Sequence, residues 1–157
     1  MAYGHLYTLR HEATVSTAIT VLQLKAGAAS PFLILSAMAG QRGSVTSAQE
    51  AIALVRKTAA ATVTTAVVGT HLFKHRLGDP TPDLSLGTAA TGVTATAEGT
   101  DGDIIKKLPY NVLNGLYHLQ VPESRIHVPG AGIIGLKFLN APASQTWDYE
   151  IEIMELG

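Results

Sequence analysis

The stretch Trp147-Asp148-Tyr149-Glu150-Ile151-Glu152-Ile153 alternates apolar and acidic residues without a break. A period of two belongs to an extended strand, whose successive side chains point to opposite sides. The odd positions are therefore expected to face a core, and the even ones place three carboxylates along one outer face. Like charges at close spacing repel, so that face should meet water or a basic partner. Upstream, residues 132–139 (Gly-Ile-Ile-Gly-Leu-Lys-Phe-Leu) read as a strand bounded by Gly130 and Pro142. Residues 17–25 are a further strand rich in Ile, Val and Leu, and the run Pro-Phe-Leu-Ile-Leu-Ser-Ala-Met at 31–38 has the length of a strand. Residues 50–57 fit helix or strand. Frequent Gly and Pro between such segments points to a mainly β fold, an antiparallel β-sandwich or jelly-roll-like barrel with at most one short helix. Nothing divides residues 1–157 into more than a single β-rich domain, and no internal repeat is visible.

Residues 58–100 differ from the rest. Ala and Thr make up 19 of these 43 positions, and large side chains are scarce. Thr favours strands and Ala favours helices, so propensity alone divides the segment. Glycines and prolines interrupt it too often for a long helix, leaving strand pieces near 62–68 and 88–97. Between them an extended loop or arm runs over 70–86, carrying Leu72, Phe73, Leu77 and Leu84 but broken by Gly78, Pro80 and Pro82. With little local core to cover them, Leu72, Phe73 and Leu77 are expected to contact a neighbour's surface. Lys74 and Arg76 are then available to pair with its acidic groups. Burying one Phe and one Leu in such a contact is worth about 3–6 kcal/mol before ordering costs.

Composition narrows the function. Of 157 residues 46% are hydrophobic and only 15% charged, against about 25% in a typical chain, so part of the surface is expected to be covered by partners. Eleven basic and twelve acidic residues give no electrostatic footprint for nucleic acid. The absence of cysteine excludes disulfides, thiolate zinc sites and cysteine nucleophiles. No apolar run reaches the ~18–20 residues of a membrane span, and Met1-Ala2-Tyr3-Gly4-His5 has no signal-peptide pattern.

Several motifs are formal matches to chemistry. Gly130-Ala131-Gly132-Ile133-Ile134-Gly135 spells a dinucleotide fingerprint, but it follows Val128-Pro129, and Pro142 blocks the helix that should follow. His71 and His75 have the i, i+4 spacing of zinc ligands, yet Lys74 and Arg76 beside them would repel a dication. Glu98-Gly99-Thr100-Asp101-Gly102-Asp103 reads as an acidic turn, able in principle to offer oxygens to calcium but without the EF-hand spacing. No cofactor and no metal site is expected, and no cue joins a serine to a histidine and a carboxylate. Trp147, Tyr149 and Tyr117 are the candidates for stacking on a sugar, although these aromatics lie at core-like alternating positions.

The order of segments also resembles a known group. Tyr110-Asn111-Val112-Leu113-Asn114-Gly115-Leu116-Tyr117 is followed by Val121-Pro122-Glu123-Ser124-Arg125-Ile126, a Gly-rich strand, Ala141-Pro142-Ala143, and the aromatic–acidic strand ending Ile153-Met154-Glu155. In the first half a strand leads to a small polar turn with Ala48-Gln49-Glu50 and an apolar segment through Arg56. This order resembles the head decoration (cement) proteins of tailed bacteriophages. The resemblance implies a non-enzymatic, β-rich virion protein, a homotrimer made in the host cytoplasm. It would bind the major capsid protein on the outer capsid surface and stabilise the mature head. The Ala/Thr-rich middle and the 70–86 excursion depart from that pattern. A tail or neck component is the alternative within the same class, and a carbohydrate-binding β-sandwich module the alternative outside it.

Overall fold

In chain order the strands are β1 (His5–Val15), β2 (Thr20–Lys25), β3 (Phe32–Arg42), β4 (Gln49–Ala59), β5 (Thr62–Thr65) and β6 (Leu72–Lys74). There follow β7 (Gly92–Ala97), β8 (Thr100–Asn111), β9 (Leu116–Leu119), β10 (Ile126–Val128), β11 (Ile133–Phe138) and β12 (Gln145–Glu155). One 3₁₀ turn (Pro122–Ser124) lies between β9 and β10. The structure is a computed structural model and describes residues 4–43 and 47–156.

The alternating stretch lies in β12, the middle of the first sheet. It pairs along its whole length with β1 on one side and with β3 on the other, both antiparallel. This sheet runs β10-β3-β12-β1-β6, with β9 pairing β3 beside β10. The second sheet runs β5-β7-β2-β11-β4-β8. Every pairing within both sheets is antiparallel, and the two inner faces pack as a β-sandwich. Residues 50–57, left open between helix and strand, lie in β4.

Inward from β12 come Trp147, Tyr149, Ile151 and Ile153, joined by Tyr7 and Leu9 of β1 and Phe32 and Ile34 of β3. The second sheet answers with Leu22, Leu24, Ile52, Leu54, Leu136 and Phe138, all fully buried. The aromatic end packs edge to face: Phe138 lies 5.1 Å from Trp147 at 63° and 6.0 Å from Tyr149 at 77°, the arrangement that sets ring edge against ring face.

The Ala/Thr-rich segment has a structural role of its own. β5 and β7 extend the second sheet, while Ala61, Val63 and Ala95 form a small separate core. Gln23 is fully buried on the side of β2 turned away from the main core. Its side-chain amide donates to the carbonyls of Ala90 (2.6 Å) and Ala61 (3.3 Å) and accepts from the Ala61 N–H (2.8 Å). Small residues are needed where main chain meets main chain. A Cβ on Gly92 would lie 2.3 Å from the Thr64 carbonyl oxygen, and one on Gly99 2.1 Å from that of Ala59.

Residues 70–86 do not form a free arm. β6 pairs with β1, matching Leu72 to Leu9 and Lys74 to Tyr7. Leu72 (1% exposed) and Leu84 belong to the main core, so the expectation that they lack a core of their own is corrected. Further along, the Tyr7 hydroxyl donates to the Pro80 carbonyl, and the Asp83 N–H donates to Glu155. Long-range strand pairing supplies the core that the local sequence lacks. Leu77, by contrast, is completely exposed. Leu72→Ala should therefore cost about 2–5 kcal/mol of unfolding free energy, and Leu77→Ala less than about 0.5 kcal/mol. Urea denaturation of the two variants checks this, and equal small losses would return the segment to the status of a loose arm.

Candidate functional site

The pairing register sets the outer face of the first sheet. Ser36, Met38, Gly40 and Arg42 of β3 stand beside Glu152, Glu150, Asp148 and Thr146 of β12, and these beside Thr8, Arg10, Glu12 and Thr14 of β1. The acidic stripe meets bases from its own chain. Arg42 pairs with Glu12 and Asp148, each at 3.0 Å. Glu152 accepts from the Ser36 hydroxyl at 2.6 Å and lies 3.7 Å from His75 Nε2, which also shares a 2.7 Å hydrogen bond with the Thr8 hydroxyl. The Arg10 guanidinium sits 3.9 Å above the centre of the Phe73 ring, a cation–π contact.

An open cleft of about 500 Å³ occupies this face, lined by Arg10, His11, Arg42, His71, Asp148 and Glu150 among others. The His11 and His71 rings meet edge to face at 5.2 Å. The Val67 N–H donates to His71 Nδ1, so the proton of the neutral ring sits on Nε2. Burial, with the neighbouring His71, holds His11 below the ordinary imidazole range, and burial with Glu152 raises Glu150. The cleft thus combines paired guanidinium–carboxylate groups with two imidazoles, a lining that can take a polar ligand.

A second cluster lies on the other sheet. Lys57 of β4, its side chain 0% exposed, places Nζ 2.6 Å from Asp101 and 3.1 Å from Glu98. Lys137 of β11 reaches the same pair at 2.6 and 3.3 Å. The Thr20 N–H and hydroxyl both donate to Glu98. Two cations and two anions balance, as a buried charge requires. Gly135, between the lysines in the sheet, leaves room for the Lys57 stem: a Cβ there would stand 3.1 Å from Lys57 Cε. The acidic turn expected at 98–103 is thereby corrected. Asp101 and Asp103 belong to β8, and the oxygens of Glu98 and Asp101 are spent on the chain's own ammonium groups.

The contact residues expected from the sequence do not form one surface. Leu72 is in the core, Phe73 lies half-buried under Arg10, and Lys74 Nζ donates to the Asp79 carbonyl. Arg76 and Leu77 are exposed. His71 and His75 sit on either side of an extended strand and take different partners, and no group of three metal-ligating side chains occurs among the described residues. The glycines of 130–135 make a turn into antiparallel β11, with the Ala131 N–H bonded to the Gly27 carbonyl, so the dinucleotide geometry is not formed. Trp147 and Tyr149 are buried in the core and unable to stack on a sugar, whereas Tyr117 is exposed. Sequence reading missed the Lys57–Lys137–Glu98–Asp101 cluster because it draws on residues far apart in the chain. Among the described residues no helix is long and apolar enough to cross a membrane. Comparison with family models, with curated proteins and with solved structures returns no match.

The ion cluster makes stability depend on pH in a defined direction. Burial pushes Glu98 and Asp101 up, but the hydrogen bonds and charges of Thr20 and Lys57, and of Lys57 and Lys137, outweigh it and hold both below the usual carboxylate range. Their stabilisation is complete above the unfolded values near about pH 4 and is lost as pH falls through the depressed folded values. Lys137 is raised by the same partners against the opposing effect of burial, so its share is complete below about pH 10 and is lost on further alkalinisation. Lys57→Met should cost about 3–5 kcal/mol at neutral pH by leaving two carboxylates to the one ammonium of Lys137. Urea unfolding at about pH 7 and about pH 3 should show the gap to the unmodified chain shrinking in acid. A gap independent of pH would contradict this account of the cluster.

Proposed function

We propose that this chain is a non-enzymatic structural protein of a tailed-phage virion, a head decoration protein that assembles with copies of itself, as a trimer, and binds the major capsid protein on the outside of the shell. The observation that carries the reading is the fate of residues 110–126, the part of the sequence on which the resemblance rests most. They form the end of β8, the edge strand β9 and the connector to β10. Leu113, Tyr117, Leu119 and Val121 are all at least half exposed there, in a stretch from 113 to 121 with no formal charge. A surface of that kind suits lasting contact with other protein better than lasting contact with water.

The physical role follows from mass action. A protein that binds the expanded shell and not its dissociated subunits stabilises the shell in proportion to its occupancy. Linked contacts in a symmetric array give high occupancy from modest individual affinities. A well-packed double sheet suits this work, because a rigid body spends little ordering entropy on binding. The carbohydrate-binding reading is weakened by the burial of Trp147 and Tyr149, which leaves Tyr117 as the exposed ring of the three. A tail or neck position uses the same surfaces and is separated by experiment.

In virions purified from a phage encoding this chain, mass spectrometry should find the protein at a copy number comparable with the capsid subunit, and immunogold should label the head. Label confined to the tail or neck would support the alternative, and absence from purified particles would contradict both.

A further inference from the structure

The four sheet edges differ in how they are protected against pairing with other chains. β8 is the long edge of the second sheet, and it is guarded. It carries Asp101, Asp103, Lys106, Lys107 and Pro109, and its pairing with β4 is broken by three register shifts. Charges, a proline and irregular register are the devices that stop an edge from recruiting another strand. β5, at the other end of that sheet, turns Thr62 and Thr64 outward. On the first sheet the β6 edge is three residues long, with Lys74 at its end. β9, four residues long, carries no charge, no proline and no register shift. The turn at Asn114-Gly115, with Gly115 at φ +67°, folds it back along β3, and it sets Tyr117 opposite Met38 and Leu119 opposite Ser36 on the outer face.

Exposure there is large: Tyr117 62%, Leu119 61%, Val121 58% and Leu113 50%. Together the four present roughly 400 Å² of apolar surface, the size of the largest patch on a typical monomer. A contact between two such patches covers about 800 Å², more than half of what the smaller stable interfaces bury.

We infer that this band, residues 113–121, is the surface by which copies of this chain meet one another around a symmetry axis. The occupant is set by charge. Near a rotation axis each residue faces its own copy, so any formal charge there faces a like charge. A foreign partner imposes no such condition, since it can offer the opposite sign. Residues 113–121 contain no Asp, Glu, Lys or Arg, whereas the guarded β8 edge has four charged residues among its twelve. The net charge of −1 adds little repulsion between whole copies. This assignment rests on the self-association in the functional reading and not on the virion, and it moves the contact from residues 72–77 to the β9 edge.

The test is the mass of the purified full chain by light scattering coupled to gel filtration, for the unmodified protein, for Tyr117→Glu/Leu119→Glu and for a control, Ile104→Glu, on the β8 edge. The unmodified protein and the control should run as closed oligomers of the 16.5 kDa chain. The double variant should run as a folded monomer, its association weakened about a hundredfold or more. Should it fail to fold, hydrogen exchange on the unmodified chain decides: amides of β9 should gain protection as concentration rises while those of β8 do not. A monomer at about 100 µM, beyond the range of standard interfaces, would overturn the inference and leave the band to another protein, with the virion reading intact. A double variant assembled like the unmodified chain would overturn it too.

Discussion

The rest of the molecule depends on β12 being paired on both sides, with β1 along all eleven residues and with β3 from Thr146 to Glu155. A strand with neighbours on each side satisfies its main-chain hydrogen bonds without water, so its inward side chains can be large and mostly apolar. Trp147, Tyr149, Ile151 and Ile153 occupy those positions, and the ring edges of Phe138 from the opposite sheet close over them. Slipping β12 by one residue would send Asp148, Glu150 and Glu152 into that core, so the alternation admits one register. With β12 in place, β1 and β3 are held by pairing, and the Arg42 bridges to Glu12 and Asp148 tie all three strands together on the outer face.

The parts of this architecture legible in the sequence are those written in local period. β12, β11, β2 and β3 announce themselves through alternation or short apolar runs bounded by Gly and Pro. β1 does not, because half-buried His11 and Ala13 stand where a bulkier apolar residue would mark a strand. β8 opens with Asp101-Gly102-Asp103, good turn chemistry overridden by pairing with β4 and by the pull of Lys57 and Lys137 on the carboxylate. Burial of Leu72 needs β1, some sixty residues away, and no composition rule contains that partner. The partners of the acidic stripe are equally hidden, since Arg42 and His75 are joined to it only by the register of two strand pairs and a loop.

Electrostatics divides the two sheets by task. On the second sheet a balanced cluster of four charges, with Lys57 buried at its centre, locks β2, β4, β8 and β11, and the Ala/Thr-rich segment closes over the same face with small side chains and the Gln23 amide. On that face Lys57, Lys137, Glu98, Asp101 and Gln23 all find partners within the chain. On the first sheet the charges are paired at the surface, and beside them lies an apolar band without charge at an unguarded edge. A molecule with one closed face and one open rim is suited to standing on a larger assembly and joining its neighbours sideways.

That division is open to one direct observation: a cryo-EM reconstruction of the head of a phage that encodes this chain, resolved well enough to trace strands. The account predicts sandwich density on the outer shell, grouped around local symmetry axes with β9 and the residues from 113 to 121 turned toward the axis. Density confined to the tail, or single isolated copies on the head with β9 facing solvent, would contradict it.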